Sequence, residues 1–245
     1  MNAPWASLTM RTVMETIENI LNVPCLSADT IHIWGVHIPD LLEQMPSLQK
    51  TLSVAECEKA ARFLRESDRL SSVAARGALR VLLAGYTGIP AAEIAFCYTE
   101  NGKPHVTGSE VEFNVSHSGD WVVLAFGRDR SIGIDIEQIK REMDVKAIAA
   151  RYFSAQEMDW MEKADDPHAV FFQLWARKEA YVKACGSTLF TELKRVSVPI
   201  EDGAEKDGWL FHYLEAGSKY AAAVVTDQPL HGLPCYDFGG LKWEN

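Results

Sequence analysis

The 245-residue chain contains no Gly-x-x-x-x-Gly-Lys-Ser/Thr loop, no Gly-x-Gly-x-x-Gly turn, no His-Glu-x-x-His helix and no Gly-x-Ser-x-Gly elbow. These absences exclude the P-loop, the dinucleotide-binding crossover, the zinc peptidase and the hydrolase nucleophile as sources of its chemistry. Positive charge is scarce. The 24 Lys and Arg against 34 Asp and Glu leave a net charge of −10, the wrong field for nonspecific nucleic-acid binding. The five cysteines are widely spaced and form no Cys-x-x-Cys, which argues for reduced thiols in a cytoplasmic protein rather than a disulfide frame or zinc site. The longest apolar runs, Trp121 to Gly127 and Tyr220 to Val225, suit strands and fall far short of a membrane span. Residues 1–28 lack the uninterrupted apolar segment and cleavage site of a secretory leader.

With 47% hydrophobic and 24% charged residues, the chain is composed like a soluble globular protein with one large core or two smaller ones. An amphipathic helix is expected over roughly Leu8 to Leu21. A strand at 31–38, a long helix at 54–86, a strand at 94–99, a turn at Asn101-Gly102-Lys103-Pro104 and strands at 111–116 and 121–127 follow. The same order then returns. Ile31 and Ile33 fall on Ile132 and Ile134, and the capping box Ser53-x-x-Glu56 falls on Ser154-x-x-Glu157. A helix-ending Gly85 falls on Gly186, and strand 121–127 on the run 221–225. The pattern predicts an α+β fold with pseudo-twofold duplication into two similar halves, 29–129 and 130–230. An N-terminal extension (1–28) and a tail (231–245) flank them. The halves differ where chemistry would sit, since Asp135, Glu137, Glu179 and Lys183 correspond to Trp34, Val36, Ala78 and Leu82. Complementary halves predict one site in the cleft between them.

On a strand, Ile132, Ile134 and Ile136 share one face while Asp135 and Glu137 project together from the other. On a helix, Glu179 and Lys183 stand one turn apart. Packed side by side, these elements would form an oxygen-rich pocket beside an ammonium, which suits a hard divalent cation and a phosphate. Each piece also has a plainer reading. Asp135 and Glu137 alone would be a solvated strand face, and Glu179 with Lys183 a surface ion pair. His117, after Ser116 at a strand end, would be a structural group, and Lys103 an exposed turn residue. Between Glu56 and Leu83 six cations (Lys59, Arg62, Arg65, Arg69, Arg76, Arg80) outnumber four acids, giving either a local basic site or a solvated helix face.

Together, Gly102-Lys103-Pro104, Phe113-Asn-Val-Ser-His-Ser118, Gly133-Ile-Asp-Ile-Glu137, Phe153-Ser-x-x-Glu157 and Trp175-x-x-Lys-Glu-Ala-x-x-Lys183 resemble the 4′-phosphopantetheinyl transferases. The likeness is to the long, single-chain, surfactin-synthetase-activating type, and it runs from about Ile31 to Val225. It implies transfer of the phosphopantetheine arm of coenzyme A to a serine of an apo acyl or peptidyl carrier protein, with release of adenosine 3′,5′-bisphosphate. Asp135, Glu137 and Glu179 are then expected to bind magnesium, with manganese an alternative, and Glu179 to act as general base. Lys183 is expected to neutralise the pyrophosphate, Ser116 to contact the pyrophosphate and His117 the 3′-phosphate. Lys59, Arg62 and Lys103 are expected to add phosphate contacts. Family members often carry a second arginine where this chain has Ser71, so that contact would fall to Arg76 or Arg69.

The resemblance further implies a monomer, since an internal pseudo-dimer needs no partner subunit to complete the site. No nucleic-acid or membrane partner is expected. An acidic carrier would need a locally basic or apolar docking patch, for which Lys140, Arg141, Lys146 and Arg151 are candidates. Two other readings stand beside this one. A non-catalytic coenzyme A or carrier-binding module of the same fold is disfavoured by the intact Asp135, Glu137, Glu179 and Lys183. A magnesium-dependent phosphohydrolase would act without any carrier.

Overall fold

The computed structural model describes residues 23–187, 193 and 196–239, so the helix expected over Leu8 to Leu21 lies outside the described residues. In chain order the strands are β1 (His32–His37), β2 (Phe96–Tyr98), β3 (Pro104–Val106), β4 (Val111–Ser118), β5 (Trp121–Arg128), β6 (Ile132–Gln138), β7 (Ala204–Lys206), β8 (Trp209–Leu214), β9 (Tyr220–Thr226) and β10 (Cys235–Asp237). The helices are α1 (Met45–Thr51), α2 (Val54–Ala61), α3 (Glu66–Thr87), α4 (Val145–Tyr152), α5 (Ala155–Lys163) and α6 (Pro167–Ala184). The chain is thus a mixed α+β protein. No described helix is long and apolar enough to cross a membrane.

Two four-stranded sheets run in the orders β10-β1-β5-β4 and β6-β9-β8-β7, and β2 pairs with β3 as a separate ribbon. Strand alternation gives each sheet two faces. Trp34, Val36, Leu124 and Phe126 on one face of the first sheet pack with Leu79, Leu82 and Leu83 of α3. Ile33, Val123 and Ala125 on its other face meet Ile132, Ile134, Ile136 and Val224 of the second sheet. The far face of that sheet, with Phe211, Ala223 and Val225, carries Ala176, Ala180 and Ala184 of α6. The order of layers is helix, sheet, sheet, helix. Burial on both faces is why β5 and β9 read as continuous apolar runs.

Three expectations need correction. The helix at 54–86 is broken: α2 ends at Ala61 and α3 starts at Glu66. Residues 61–69 are all exposed, so no apolar stripe holds a continuous helix to the core there, and Glu66 and Asp68 favour a new N-terminus. Gly85 does not end α3; the helix runs to Thr87 and closes at Gly88, whose φ of 73° is left-handed and natural for glycine. The stretch read as a tail supplies β10, which pairs in parallel with β1, and Phe238 is buried in the first core.

Both capping boxes form as expected, Ser53 with Glu56 and Ser154 with Glu157. The second does more than cap a helix. Glu157 and Lys178 are fully buried and meet at 3.0 Å. Glu157 Oε1 accepts the Val198 N–H at 2.8 Å, while Lys178 Nζ donates to the carbonyls of Leu193 (3.2 Å) and Val196. Burial disfavours the Lys178 charge and Glu157 opposes that effect. This pair joins the start of α5, the middle of α6 and the chain from 193 to 198. Lys178→Ala should therefore cost about 3–5 kcal/mol, because it strands a buried carboxylate. Adding Glu157→Gln should recover part of that loss in urea titrations, and simple additivity of the two losses would refute the coupling.

A second buried polar group sets acid sensitivity. The Tyr86 hydroxyl accepts from Trp34 Nε1 and shares a hydrogen bond with His32 Nδ1, both at 2.8 Å. Burial disfavours the charged imidazole and pulls the His32 pKa down from 6.5 to about 4. The unfolded chain then binds this proton below about pH 6.5 while the folded one resists it until about pH 4. Stability should fall across that window by up to about 3 kcal/mol. His32→Gln keeps an acceptor for Tyr86 and cannot titrate, so its unfolding free energy should fall less between pH 7 and pH 4. An equal fall in both proteins would exclude His32 as the cause.

Candidate active site

The site begins with a missing side chain. A Cβ on Gly133 would lie 1.8 Å from the Ala180 carbonyl oxygen and 2.4 Å from the Ala184 nitrogen, so only glycine lets the α6 backbone rest on β6. That approach brings the Glu179–Lys183 face of α6 beside the Asp135–Glu137 face of β6. Lys183 reaches across to β6. Its Nζ lies 2.7 Å from Asp135 Oδ1, 2.9 Å from Ser116 Oγ and 3.2 Å from the Ile134 carbonyl. Ser116 donates to the same Asp135 oxygen at 2.7 Å.

The remaining carboxylate chemistry is uncompensated. Asp135 is 4% exposed, and its Oδ2 is buried without a hydrogen-bond partner. Burial, reinforced by Asp135, pushes Glu137 up to about 7, with Ser118 and Lys183 opposing. Burial and Asp135 likewise raise Glu179. Among the described residues, no three His, Cys, Asp or Glu side chains stand close enough to cage a metal ion by themselves. Asp135, Glu137 and Glu179 are neighbours in a crowded negative field, not a closed shell. An orphaned buried oxygen and two carboxyls strained toward neutrality fit a hard divalent cation, which commonly takes only one or two carboxylates and completes its shell with water and phosphate.

Next to this group opens a cleft of about 670 Å³ between α2, α3 and β4, walled by Phe63, Asp68, Phe96 and Tyr98 among others. Of the expected phosphate contacts, Lys59, Arg76 and His117 line it. Arg76 lies 3.3 Å from Glu56 and over the Phe96 ring, and its Nη1 is buried without a partner. His117 joins the cleft to the carboxylates. The residue is exposed, yet partial burial of its ring and then the Lys183 ammonium lower its pKa, with Asp135 and Asp68 opposing.

Other expected contacts stand elsewhere. Arg62 is exposed at the end of α2, outside the cleft lining. Lys103 does not line the cleft either, because its ammonium donates to the Ile132 carbonyl at 3.0 Å and burial lowers its pKa. Ser116 is 7% exposed and engaged on both sides by Asp135 and Lys183. Ser71 points away from the cleft; it is buried and donates to the Ser67 carbonyl, while Ser72 and Asp68 face the opening.

Two residues of the site escaped sequence reasoning. Asn114 Oδ1 accepts the Ile134 N–H at 2.9 Å, and Ser118 Oγ donates to Glu137 at 3.2 Å while accepting the Gln138 N–H at 3.0 Å. The signal was the polar alternation Asn114, Ser116, Ser118 along one face of β4, which a buried sheet face does not carry without partners.

The family model of the 4′-phosphopantetheinyl transferase superfamily matches residues 131–225, and that described as 4′-phosphopantetheinyl transferase, N-terminal, matches residues 40–128. The 4′-phosphopantetheinyl transferase HetI of Nostoc sp. is 32% identical over 181 residues, covering 71% of this chain and 76% of its own. A 4′-phosphopantetheinyl transferase of Bacillus subtilis is 33% identical over 210 residues, 80% of this chain and 92% of its own. The 4′-phosphopantetheinyl transferase Sfp of Bacillus subtilis is 32% identical over 177 residues, with 70% and 78% covered. Likeness of that extent, carried by relatives of one activity and by models of both portions of the chain, makes this protein an enzyme belonging to the 4′-phosphopantetheinyl transferases of the Sfp type.

Proposed function

We propose that the enzyme takes coenzyme A and an apo acyl or peptidyl carrier protein and moves the 4′-phosphopantetheine arm onto a carrier serine. The observation that carries this reading is the Lys183–Asp135–Ser116 cluster, with its uncompensated carboxylates, at the edge of a cation-bearing cleft. The serine oxygen forms a bond to the phosphorus that bears pantetheine. The bond from that phosphorus to the adenosine-side phosphate oxygen breaks, and its electrons leave on adenosine 3′,5′-bisphosphate. Glu179, whose affinity for a proton is raised by burial and by Asp135, takes the serine proton. Lys183 faces the charge that gathers on the departing phosphate, and Lys59, Arg76 and His117 hold the nucleotide end in the cleft. Asp135, Glu137 and Glu179 would hold magnesium or manganese, which when bound supplies Lewis-acid neutralisation of the pyrophosphate.

The equivalent order of strands, β1-β5-β4 in one sheet and β6-β9-β8 in the other, supports a pseudo-twofold duplication of residues 29–129 and 130–230. On that basis we read the enzyme as a monomer, and its cysteines, held as thiols, support a cytoplasmic one. An apo acyl carrier protein incubated with the enzyme, coenzyme A and magnesium should gain the mass of one phosphopantetheine arm. Glu179→Gln and Lys183→Met should each slow the gain by about 100-fold or more, the scale of losing one preorganised electrostatic partner. Coenzyme A binding without any gain on several apo carriers would replace this reading with a non-catalytic binding module.

The acidic carrier would dock on the exposed cations that follow β6. Arg141 is already committed to Asp166 through two contacts of 2.6 and 2.7 Å, which leaves Lys140, Lys146 and Arg151 exposed for a partner. Reversing charge at Lys140 and Arg151 should raise KM for the carrier several-fold and leave KM for coenzyme A unchanged. Equal effects on both constants would count against docking there.

A further inference from the structure

The facing edges of the two sheets carry a function of their own. β4 ends the first sheet and β6 ends the second, and no backbone ladder joins them. An edge strand leaves N–H and C=O groups to be satisfied, and here side chains do it. Asn114 accepts the Ile134 N–H, Ser118 accepts the Gln138 N–H, Lys183 donates to the Ile134 carbonyl and Lys103 to the Ile132 carbonyl. The two N–H clamps stand one residue before Asp135 and one residue after Glu137. They bracket the pair of carboxylates. Ser118 also donates to Glu137 itself, and Ser116 between the clamps donates to Asp135.

We propose that Asn114 and Ser118 are positioning residues that fix the β6 edge through its backbone and so set the affinity of Asp135 and Glu137 for a divalent cation. The inference rests on the cation role proposed for those carboxylates. Backbone clamping is effective because a strand held at both ends of a three-residue span cannot rotate the carboxylates apart without breaking a bond at one end. Ser118 has little left for a substrate, since its proton and a lone pair are both used within the protein.

The test is Mn2+ binding to the full chain by titration calorimetry without coenzyme A. Asn114→Leu and Ser118→Ala should each weaken binding by about 10-fold or more, the usual cost of removing a partner of a metal ligand. Asn114→Asp and Ser118→Thr keep the acceptor and should restore affinity to at least the wild-type value. Thermal midpoints and circular dichroism establish that each variant is folded, and Ser118→Ala decides the matter if Asn114→Leu does not fold. Folded variants that bind Mn2+ like wild type overturn the inference, and a rise only in KM for coenzyme A reassigns Asn114 to substrate contact. A wild-type chain that transfers normally but binds no Mn2+ alone also overturns it, while leaving the transferase reading intact. Absence of both transfer and Mn2+ binding removes the reading on which it rests.

Discussion

The ammonium of Lys183 meets Asp135 Oδ1 at 2.7 Å and Ser116 Oγ at 2.9 Å, and so ties α6 to both sheets at one point. Its position depends on α6 lying against β6, and that in turn depends on Gly133 having no side chain. The helix is fixed from its other side by Lys178, buried against Glu157. Adjacent residues of one motif therefore face opposite ways. Lys178 looks into the protein and holds α6 in place, while Glu179 and Lys183 look toward the carboxylates. A helix set by packing on one face can keep an unfavourable collection of charges on the other.

Much of this was legible because short elements obey simple periodicities. Period two on β6 separates Ile132, Ile134 and Ile136 from Asp135 and Glu137, and the structure buries the isoleucines between the sheets. Both Ser-x-x-Glu signatures start helices. The break between α2 and α3 was not legible, since neither proline nor glycine marks it and only tertiary exposure of residues 61–69 decides it. The partners of Ser116 and Lys103 and the exposure of Arg62 were not legible for a similar reason. A side chain's sequence motif gives its neighbourhood, but which hydrogen-bonding group it satisfies depends on a strand edge and a loop far away in sequence. Asn114 and Ser118 stood in a quoted motif without a role because their partners are backbone groups of another sheet.

The charges of this acidic protein are segregated within the site. The negative charge is concentrated at Asp135, Glu137 and Glu179, and burial together with that crowding raises Glu137 and Glu179. The opposite sign is kept to the far wall, where Lys59 and Arg76 line the cleft. On the proposed reading, an anion entering between them meets its counter-charges on one side and the carboxylates proposed to hold a cation on the other. Net charge therefore says little about which ligand the cleft accepts; local segregation of charge does.

Two sheets that pack by their inner faces must still end somewhere, and here both end toward each other. Had β4 and β6 paired by backbone, the edges would be satisfied with no polar side chain between them. Because they do not, Asn114 and Ser118 of β4 and two lysines are drawn in to satisfy the β6 backbone, with Ser116 between them on the Asp135 carboxylate. The unpaired junction thus forces hydroxyl, amide and ammonium groups into a half-buried seam, where each is stronger than in water. A carboxylate on the neighbouring strand face needs little further adjustment to become part of a reactive site. The chemistry proposed for this fold sits at the place where no backbone ladder joins the two sheets.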